Sequence, residues 1–308
     1  MSSRTSRRAA AVVIAVVVLG VGLGIAILRV IHRNSSSTSP GPTTQPCSQP
    51  TLSTPSSPTS TAGPGSISGR SWIMSSRVLN EMVASPAAGA AVASDTLYVL
   101  VSSSDALVAR TNSLHIVKTA YFTSEATLAD AVQGGTLPQG TTALLYDNEN
   151  WSLTPQAERT DPVRYYQLAC NVAHAHGLLL IATPVPSKLS PRIAPFADVL
   201  DIQAQEVQAS SSEYSGHVLP LAAAVLSANP RVVVLSGLST NPRAGIPSPG
   251  QLVDDAHSVS SAVKGYWLNT PPTPANCASA DNAASDARCS GPQPAIGEDF
   301  LAALGQAN

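Results

Sequence analysis

Two carboxylates that are two residues apart, Asp147 and Glu149, follow a short apolar run and have the spacing that best suits acid–base chemistry. If this run is a strand that continues through them, both side chains point to one side and enter the same space. One carboxylate then raises the pKa of the other and holds it as a proton donor near neutral pH. General acid catalysis of glycoside cleavage requires this arrangement. A loop in which Asp147 caps backbone N–H groups and Glu149 is solvated is the competing interpretation.

Polar and aromatic side chains also follow the other apolar runs of the chain. Amides and carboxylates bond sugar hydroxyls, and Tyr and Trp rings stack on the apolar faces of pyranose rings. Only 4% of the chain is aromatic, so rings at these positions favour a ligand site, although rings at a rim also pack routinely. The candidate substrate-binding residues are Tyr146, Trp151, Gln203, Gln205, Glu206, Asn241, Tyr266, Trp267 and Asn269.

A second acidic position accompanies Gln203 and Gln205. Asp201 shares their face if this segment is a strand, because side chains alternate between the two faces. Asp201 or Glu206 is therefore a candidate second carboxylate opposite Glu149. The alternative is that Asp201 and Gln203 form a hydrogen-bonded structural layer.

The cysteines and the charge restrict the remaining classes of function. Cys47, Cys170, Cys277 and Cys289 include no C-x-x-C pair, so we predict neither a metal site nor a cofactor. Cys277 and Cys289 flank a polar segment and can close it as a disulfide in an oxidising compartment. The formal net charge of -2 provides no basic field for phosphate backbones, so nucleic acid is not an expected partner.

Short apolar runs alternate with helical patterns after residue 69, as is typical of repeated βα units. We predict strands over residues 72–79, 96–101, 116–122, 142–146, 178–183, 199–205, 232–236 and 265–269. We predict helices over residues 125–132, 162–176, 216–228 and 249–263. About 240 residues of this kind favour a (β/α)8 TIM-type barrel, which need not be regular. An open doubly wound α/β sheet is the alternative, but no G-x-G-x-x-G or Walker sequence follows any strand.

Such a barrel places functional groups at the carboxyl ends of its strands, where they surround one opening. The candidate residues named above all lie at or next to such ends in the predicted order of elements. We therefore expect them to converge on the mouth of the barrel.

The N-terminal part of the chain has a different composition. Residues 9–31 form an apolar segment that is long enough as a helix to cross a bilayer, and we predict a transmembrane signal anchor there. A cleaved signal peptide is the alternative. Arginines within residues 1–8 favour an inside N-terminus, and residues 34–68 are a Ser/Thr/Pro-rich linker predicted to be disordered. The expectation is a single-pass protein of the cell membrane whose domain, residues 69–308, lies outside.

The stretch over residues 144–184 resembles the central strands of glycoside-hydrolase-like TIM barrels. It is most similar to chitinase-like and muramidase-like families whose strand ends carry an Asp-x-Glu motif. The resemblance implies that Glu149 is the proton donor and that Asp147 orients the acetamido group of the substrate. It further implies that Tyr266, Gln203 or Asn269 holds the sugar.

The complete chitinase-type run D-x-x-D-x-D-x-E is absent, because Thr142 and Leu145 stand where its earlier acids would be. The sequence therefore supports two hypotheses about function. The first is a carbohydrate-active barrel, a glycoside hydrolase of cell-wall or extracellular polysaccharide. The second is a non-catalytic surface module that binds a glycan or a protein. A structural part of an envelope assembly is a third interpretation.

Overall fold

Eight short parallel strands form a closed ring in the computed structural model, which describes residues 69–242, 245–270 and 293–306. The strands are β1 (Ser71–Ser75), β2 (Thr96–Leu100), β3 (His115–Phe122), β4 (Ala143–Tyr146), β5 (Leu179–Ala182), β6 (Val199–Ile202), β7 (Val233–Ser239) and β8 (Gly265–Asn269). Each strand pairs with the next, and β8 pairs with β1. The TIM-type barrel prediction is confirmed, and the open-sheet alternative is wrong because the ring has no edge strand.

Helices surround this ring unevenly. The α-helices of the described residues are α1 (Ser76–Met82), α2 (Pro86–Ala91), α3 (Glu125–Gln133), α4 (Gln156–Thr160), α5 (Pro162–Ala175), α6 (Ser211–Ala228), α7 (Pro249–Val259) and α8 (Gln293–Gln306). A single 3-10 helix, Ala109–Ser113, lies between β2 and β3, and two others, Pro186–Lys188 and Pro191–Phe196, lie between β5 and β6. The barrel is therefore irregular, with no α-helix in these two connections.

The first strand is shorter than the predicted one over residues 72–79. β1 ends at Ser75, whose hydroxyl accepts a hydrogen bond from the Val78 N–H at 3.2 Å and so caps α1. A serine in this position satisfies one of the free N–H groups at a helix start. Val78, Leu79 and Met82 then recur at helical spacing and are all buried.

Apolar side chains form two separate clusters on the two sides of the strands. Ile73, Leu145, Ile181, Val199 and Leu235 belong to the inner cluster, which fills the ring. The alternate residues of the same strands pack against the helices in the larger outer cluster. Because side chains alternate along a strand, every second residue after these, towards the carboxyl end, also points inward. These further inward positions are residue 147 after Leu145, residue 183 after Ile181, and residues 201 and 203 after Val199. This alternation decides which polar residues face the mouth.

Several sequence predictions concern residues outside the described ranges. The N-terminal stub, the anchor over residues 9–31, the linker over residues 34–68 and the pair Cys277 and Cys289 lie there. Among the residues that are described, no helix combines the length and the apolar character needed to cross a membrane. Cys170 on α5 is buried and disulfide-bonded.

Candidate active site

Asp147 lies at the centre of the mouth. Its N–H donates to the Phe122 carbonyl at 2.8 Å, so the pairing of β4 with β3 continues one residue beyond the strand and turns the side chain inward. The carboxylate accepts hydrogen bonds from Tyr121 Oη at 2.7 Å, Thr183 Oγ1 at 3.1 Å and Gln203 Nε2 at 3.3 Å. Four successive strands, β3 to β6, thus hold one carboxyl group that is only 4% exposed.

The surroundings of Asp147 change its proton affinity. Burial raises the pKa of this carboxyl from 3.8 to about 6, the hydrogen bond from Tyr121 opposes the rise, and the negative charge of Glu149 adds to it. Hydrogen bonds from Thr183 and Gln203 stabilise the ionised form and lower the pKa. The negative charge of Glu149 thus contributes to the raised pKa of Asp147, with burial as the largest cause.

Asp201 lies inside the ring and is fully buried. Neither of its carboxyl oxygens has a hydrogen-bond partner among the described residues. Burial, reinforced by the negative charge of Asp147, raises its pKa well above the usual range. An unpaired buried carboxylate is so costly that the group stays protonated instead, which makes Asp201 a neutral residue of the barrel floor. It does not reach the mouth as a second ionised carboxylate.

The loop after β4 forms one side of the rim. Glu149 is half-buried, and its N–H donates to Thr154 Oγ1 at 3.3 Å. Asn150 Nδ2 donates to Ser187 Oγ at 3.2 Å, which joins this loop to the loop after β5. The Trp151 ring is 43% exposed on the same loop. An acid and an aromatic ring are therefore both available to a ligand at this rim.

The opposite side of the mouth carries the amides. Gln203 is half-buried, and its Nε2 also donates to the Thr183 carbonyl at 3.2 Å. The carboxamide of Gln205 occupies the space above Gly237, where an added Cβ would lie 2.4 Å from it. Gly237 therefore makes room for the Gln205 side chain in the mouth.

The other predicted site residues on this side differ in accessibility. Trp267 is half-buried and packs against the inner cluster, whereas Asn269 and Glu206 are exposed at their strand ends. Asn241 is buried, and its N–H donates to Ser239 Oγ at 3.1 Å. All four lie at the carboxyl end of the ring, as predicted, and of these Asn269 and Glu206 are exposed.

Two predicted sugar-binding rings face away from the mouth, and their assignment is corrected. Tyr146 is fully buried in the outer cluster, where its hydroxyl donates to Glu158 Oε2 at 2.7 Å and its ring lies 4.7 Å from that of Tyr166. Tyr266 is buried in the same layer and donates to the Ala256 carbonyl at 2.7 Å. The reason is the alternation along a strand, because the residues next to Asp147 and Trp267 must point outward.

Three residues of the site were not among the candidates. Tyr121 and Thr183 hold Asp147, and both continue inner positions of predicted strands, so alternation alone indicates them. Glu158 is a buried carboxylate on α4 that accepts from Ser124 Oγ at 3.0 Å and from the Glu125 N–H at 2.9 Å, as well as from Tyr146. It fixes the loop after β4, and no pattern in the sequence indicates it.

Within residues 69–242, 245–270 and 293–306, no three His, Cys, Asp or Glu side chains are grouped so that they could hold a metal ion.

No family model and no curated protein matches this chain. Its structure is similar to an active-site mutant of the Rhizomucor miehei beta-1,3-glucanosyltransferase in complex with laminaritriose, with 8% identity, a TM-score of 0.42 and coverage of 69% of this chain and 90% of that one. It is also similar to a Parabacteroides distasonis sugar phosphate isomerase/epimerase, with 9% identity, a TM-score of 0.44 and coverage of 79% of this chain and 94% of that one. A third similar structure is a Chromobacterium violaceum chitinase, with 11% identity, a TM-score of 0.43 and coverage of 78% of this chain and 100% of that one. At such identities these matches carry no information about activity.

Proposed function

We propose that this barrel is a carbohydrate-active protein that hydrolyses glycosidic bonds, with Glu149 as the proton donor and Asp147 as its partner. The observation that carries the proposal is the inward carboxyl of Asp147, whose pKa of about 6 reflects burial and the neighbouring charge of Glu149. Paired carboxyl groups in different environments are the arrangement that acid-catalysed glycoside cleavage uses.

The chemistry divides between the two groups. Glu149, on the accessible rim, gives its proton to the glycosidic oxygen while the bond from that oxygen to the anomeric carbon breaks. The acetamido oxygen of an aminosugar forms the new bond to the anomeric carbon, and Asp147 accepts a hydrogen bond from the acetamido N–H. Water then displaces the acetamido oxygen and returns a proton to Glu149, so the enzyme is restored.

The binding surface for the polymer consists of the residues around this pair. Trp151 offers an exposed ring face, and Gln203, Gln205 and Asn269 offer amides to sugar hydroxyls. Polysaccharide of a cell wall or extracellular matrix is the substrate class that we propose. The disulfide of Cys170 supports a domain outside the cytoplasm, since disulfides persist in oxidising compartments. The predicted anchor over residues 9–31 would hold it at the membrane.

The test is the substitution Glu149→Gln in the full chain. We expect release of reducing ends from chitin oligosaccharides and from peptidoglycan to fall at least about a hundredfold, because removal of a general acid typically costs that much. Glu213→Gln is the matched control, since Glu213 is an exposed carboxylate at the start of α6. Full activity of Glu149→Gln with an unchanged thermal melt would remove the assignment.

A non-catalytic glycan-binding module is the second candidate. One observation favours it: the chitinase-type run has an acid at the position of Leu145, whereas Leu145 is apolar and lies in the inner cluster. One of the acids of that catalytic run is therefore missing. In that case the full chain binds chitin oligosaccharides without product release, and Trp151→Ala weakens the binding. Binding that is unaffected by Trp151→Ala would exclude this rim as the binding surface.

A further inference from the structure

Cys170 on α5 forms a disulfide with a cysteine that lies outside the described residues. Its side chain is buried and its sulfur is bonded, while the other three cysteines of the chain all lie outside the described ranges. The possible partners are therefore Cys47, before the barrel, and Cys277 and Cys289, after β8. The position of α5 in the ring indicates which of them reaches Cys170.

Cys170 lies near the amino end of the ring, on the side opposite β8. α5 packs on β4 and β5, which lie across the closed ring from β8 and β1. Because β4 and β5 are parallel, the helix between them runs back towards the amino ends of the strands. Its last turn is fixed at that end by His174, whose Nε2 lies 2.8 Å from Asp198 Oδ2, just before β6. Cys170 is one turn away, with its Sγ 3.7 Å from His174 Nδ1.

The two cysteines after β8 start from the far side of the barrel. A ring of eight strands about 4.8 Å apart is about 15 Å across, and the helices add about 10 Å on each side. Cys289 is four residues before α8, which packs on α1, α2 and α7 beside β8 and β1. Four residues span at most about 14 Å, less than half of the roughly 30 Å from α8 to α5.

Cys277 is also poorly placed. It is seven residues after Thr270, which directly follows β8. Seven residues span at most about 25 Å, so this cysteine approaches α5 only as a straight chain laid across the mouth of the ring. The chain would then still have to descend towards the amino end, where Cys170 lies.

Cys47 reaches this position without such a path. It is 22 residues before Gly69, and Gly69 comes just before β1, at the same end of the ring as Cys170. A flexible chain of this length spans about 26 Å on average and at most about 75 Å. The separation across the amino end of the ring, from β1 to α5, is roughly 25 Å. The average span therefore matches the separation.

We infer that a disulfide joins Cys47 to Cys170 and fastens the Ser/Thr/Pro-rich linker to the outer wall of the barrel, which leaves Cys277 and Cys289 to pair with each other. The bond forms when the two thiols lose two electrons and two protons to a disulfide-bearing oxidoreductase by thiol–disulfide exchange. Both points at which the linker joins the barrel, Gly69 and Cys170, then lie at the end opposite the mouth. The inference does not depend on the proposed function.

The bond also shortens the tether between the barrel and the predicted anchor over residues 9–31. Without the disulfide, 38 residues lead from the end of the anchor to Gly69, and with it 16 residues lead to Cys47. The largest extended length falls from about 130 Å to about 55 Å. The disulfide thus sets how far from the membrane the mouth can reach its ligand.

Peptide mapping without reduction tests this connectivity. The full chain is produced in an oxidising compartment, denatured with N-ethylmaleimide to block free thiols, taken from the monomer band of a non-reducing gel and digested with trypsin. Trypsin places the four cysteines in four different peptides, residues 34–70, 165–188, 265–288 and 289–308. We expect 34–70 to be linked to 165–188 and 265–288 to be linked to 289–308, with each pair separating on reduction.

Two variants sharpen the result. In Cys47→Ser, the peptide 165–188 should carry N-ethylmaleimide, whereas the link between 265–288 and 289–308 should persist. Cys277→Ser is the matched control, because it removes one cysteine and should leave the link between 34–70 and 165–188 intact. A link from 165–188 to either of the last two peptides in the unmodified chain, or a modified thiol in 165–188, would overturn the inference.

Discussion

The substitution Asp147→Asn separates the charge of the central carboxyl group from its shape. The amide has nearly the same volume and keeps an acceptor oxygen for Tyr121, but it does not ionise. In the wild-type protein, folding raises the pKa of Asp147 from 3.8 to about 6. Between these two values the native state binds more protons than the unfolded state, so the free energy of unfolding falls as pH rises.

The size of this effect follows from the change in pKa. Each pKa unit corresponds to about 1.4 kcal/mol, so the shift of Asp147 from 3.8 to about 6 destabilises the ionised native state by about 3 kcal/mol. The full stability is present below about pH 4, and the loss is complete above about pH 6. Asp201 also has a raised pKa, but it is present both in the wild type and in Asp147→Asn. Its contribution to the pH dependence of the free energy of unfolding therefore largely cancels when the two proteins are compared.

Urea unfolding followed by tryptophan fluorescence measures the difference directly. The free energy of unfolding of Asp147→Asn minus that of the wild type should increase by about 3 kcal/mol between about pH 4 and about pH 7.5. Glu213→Gln is the matched control, since Glu213 is exposed at the start of α6, and its difference from the wild type should stay constant between these pH values. A constant difference for Asp147→Asn, or one that decreases with pH, would refute the assignment of a raised pKa.

Three further substitutions test the scaffold of the site. Glu158→Ala leaves two buried donors and one part-buried donor without their acceptor, so it should lower the free energy of unfolding by roughly 3 kcal/mol, measured by urea unfolding; a loss below about 1 kcal/mol would contradict its role. Gly237→Ala should displace Gln205 and weaken binding of chitotetraose severalfold with little change in melting temperature, and unchanged binding would place Gln205 outside the sugar site. Tyr121→Phe removes a hydrogen-bond donor to the ionised Asp147, so the pKa of Asp147 should rise further in a ¹³C NMR titration; a lower pKa would contradict the stabilising role of this hydrogen bond.

The parts of the fold that depend on local pattern could be predicted from the sequence. The run of Asp161 and Pro162 starts α5, Gly177 follows its end with a positive φ of 71°, and β5 comes next, as the turn and capping chemistry requires. The predicted strand over residues 72–79 is too long, because Ser75 caps a helix that begins at Ser76.

The location of the candidate residues at the carboxyl ends of the strands could be predicted from the sequence, but the directions of their side chains only in part. Asp147 and Gln203 come together as expected, since both continue inner positions of their strands. Tyr146 and Tyr266 were misplaced, although the inward direction of Asp147 and Trp267 already requires their neighbours to point outward. Strict use of the two-residue period would have removed both rings from the candidates.

The loops that complete the rim could not be predicted from the sequence. The contacts of Glu158 and the hydrogen bond from Asn150 to Ser187 depend on how the segments after β4 and β5 fold. These loops have no periodic pattern that fixes the direction of a side chain. The raised pKa of Asp147 is equally a property of the assembled ring, because its burial involves three other strands.

The most direct test of the account is a crystal structure of the full chain with Glu149→Gln in complex with chitotetraose. We expect the glycosidic oxygen about 3 Å from the amide of residue 149 and a sugar ring over Trp151. A tetrasaccharide bound away from the mouth, or in the mouth with its glycosidic oxygens turned away from residue 149, would contradict the account.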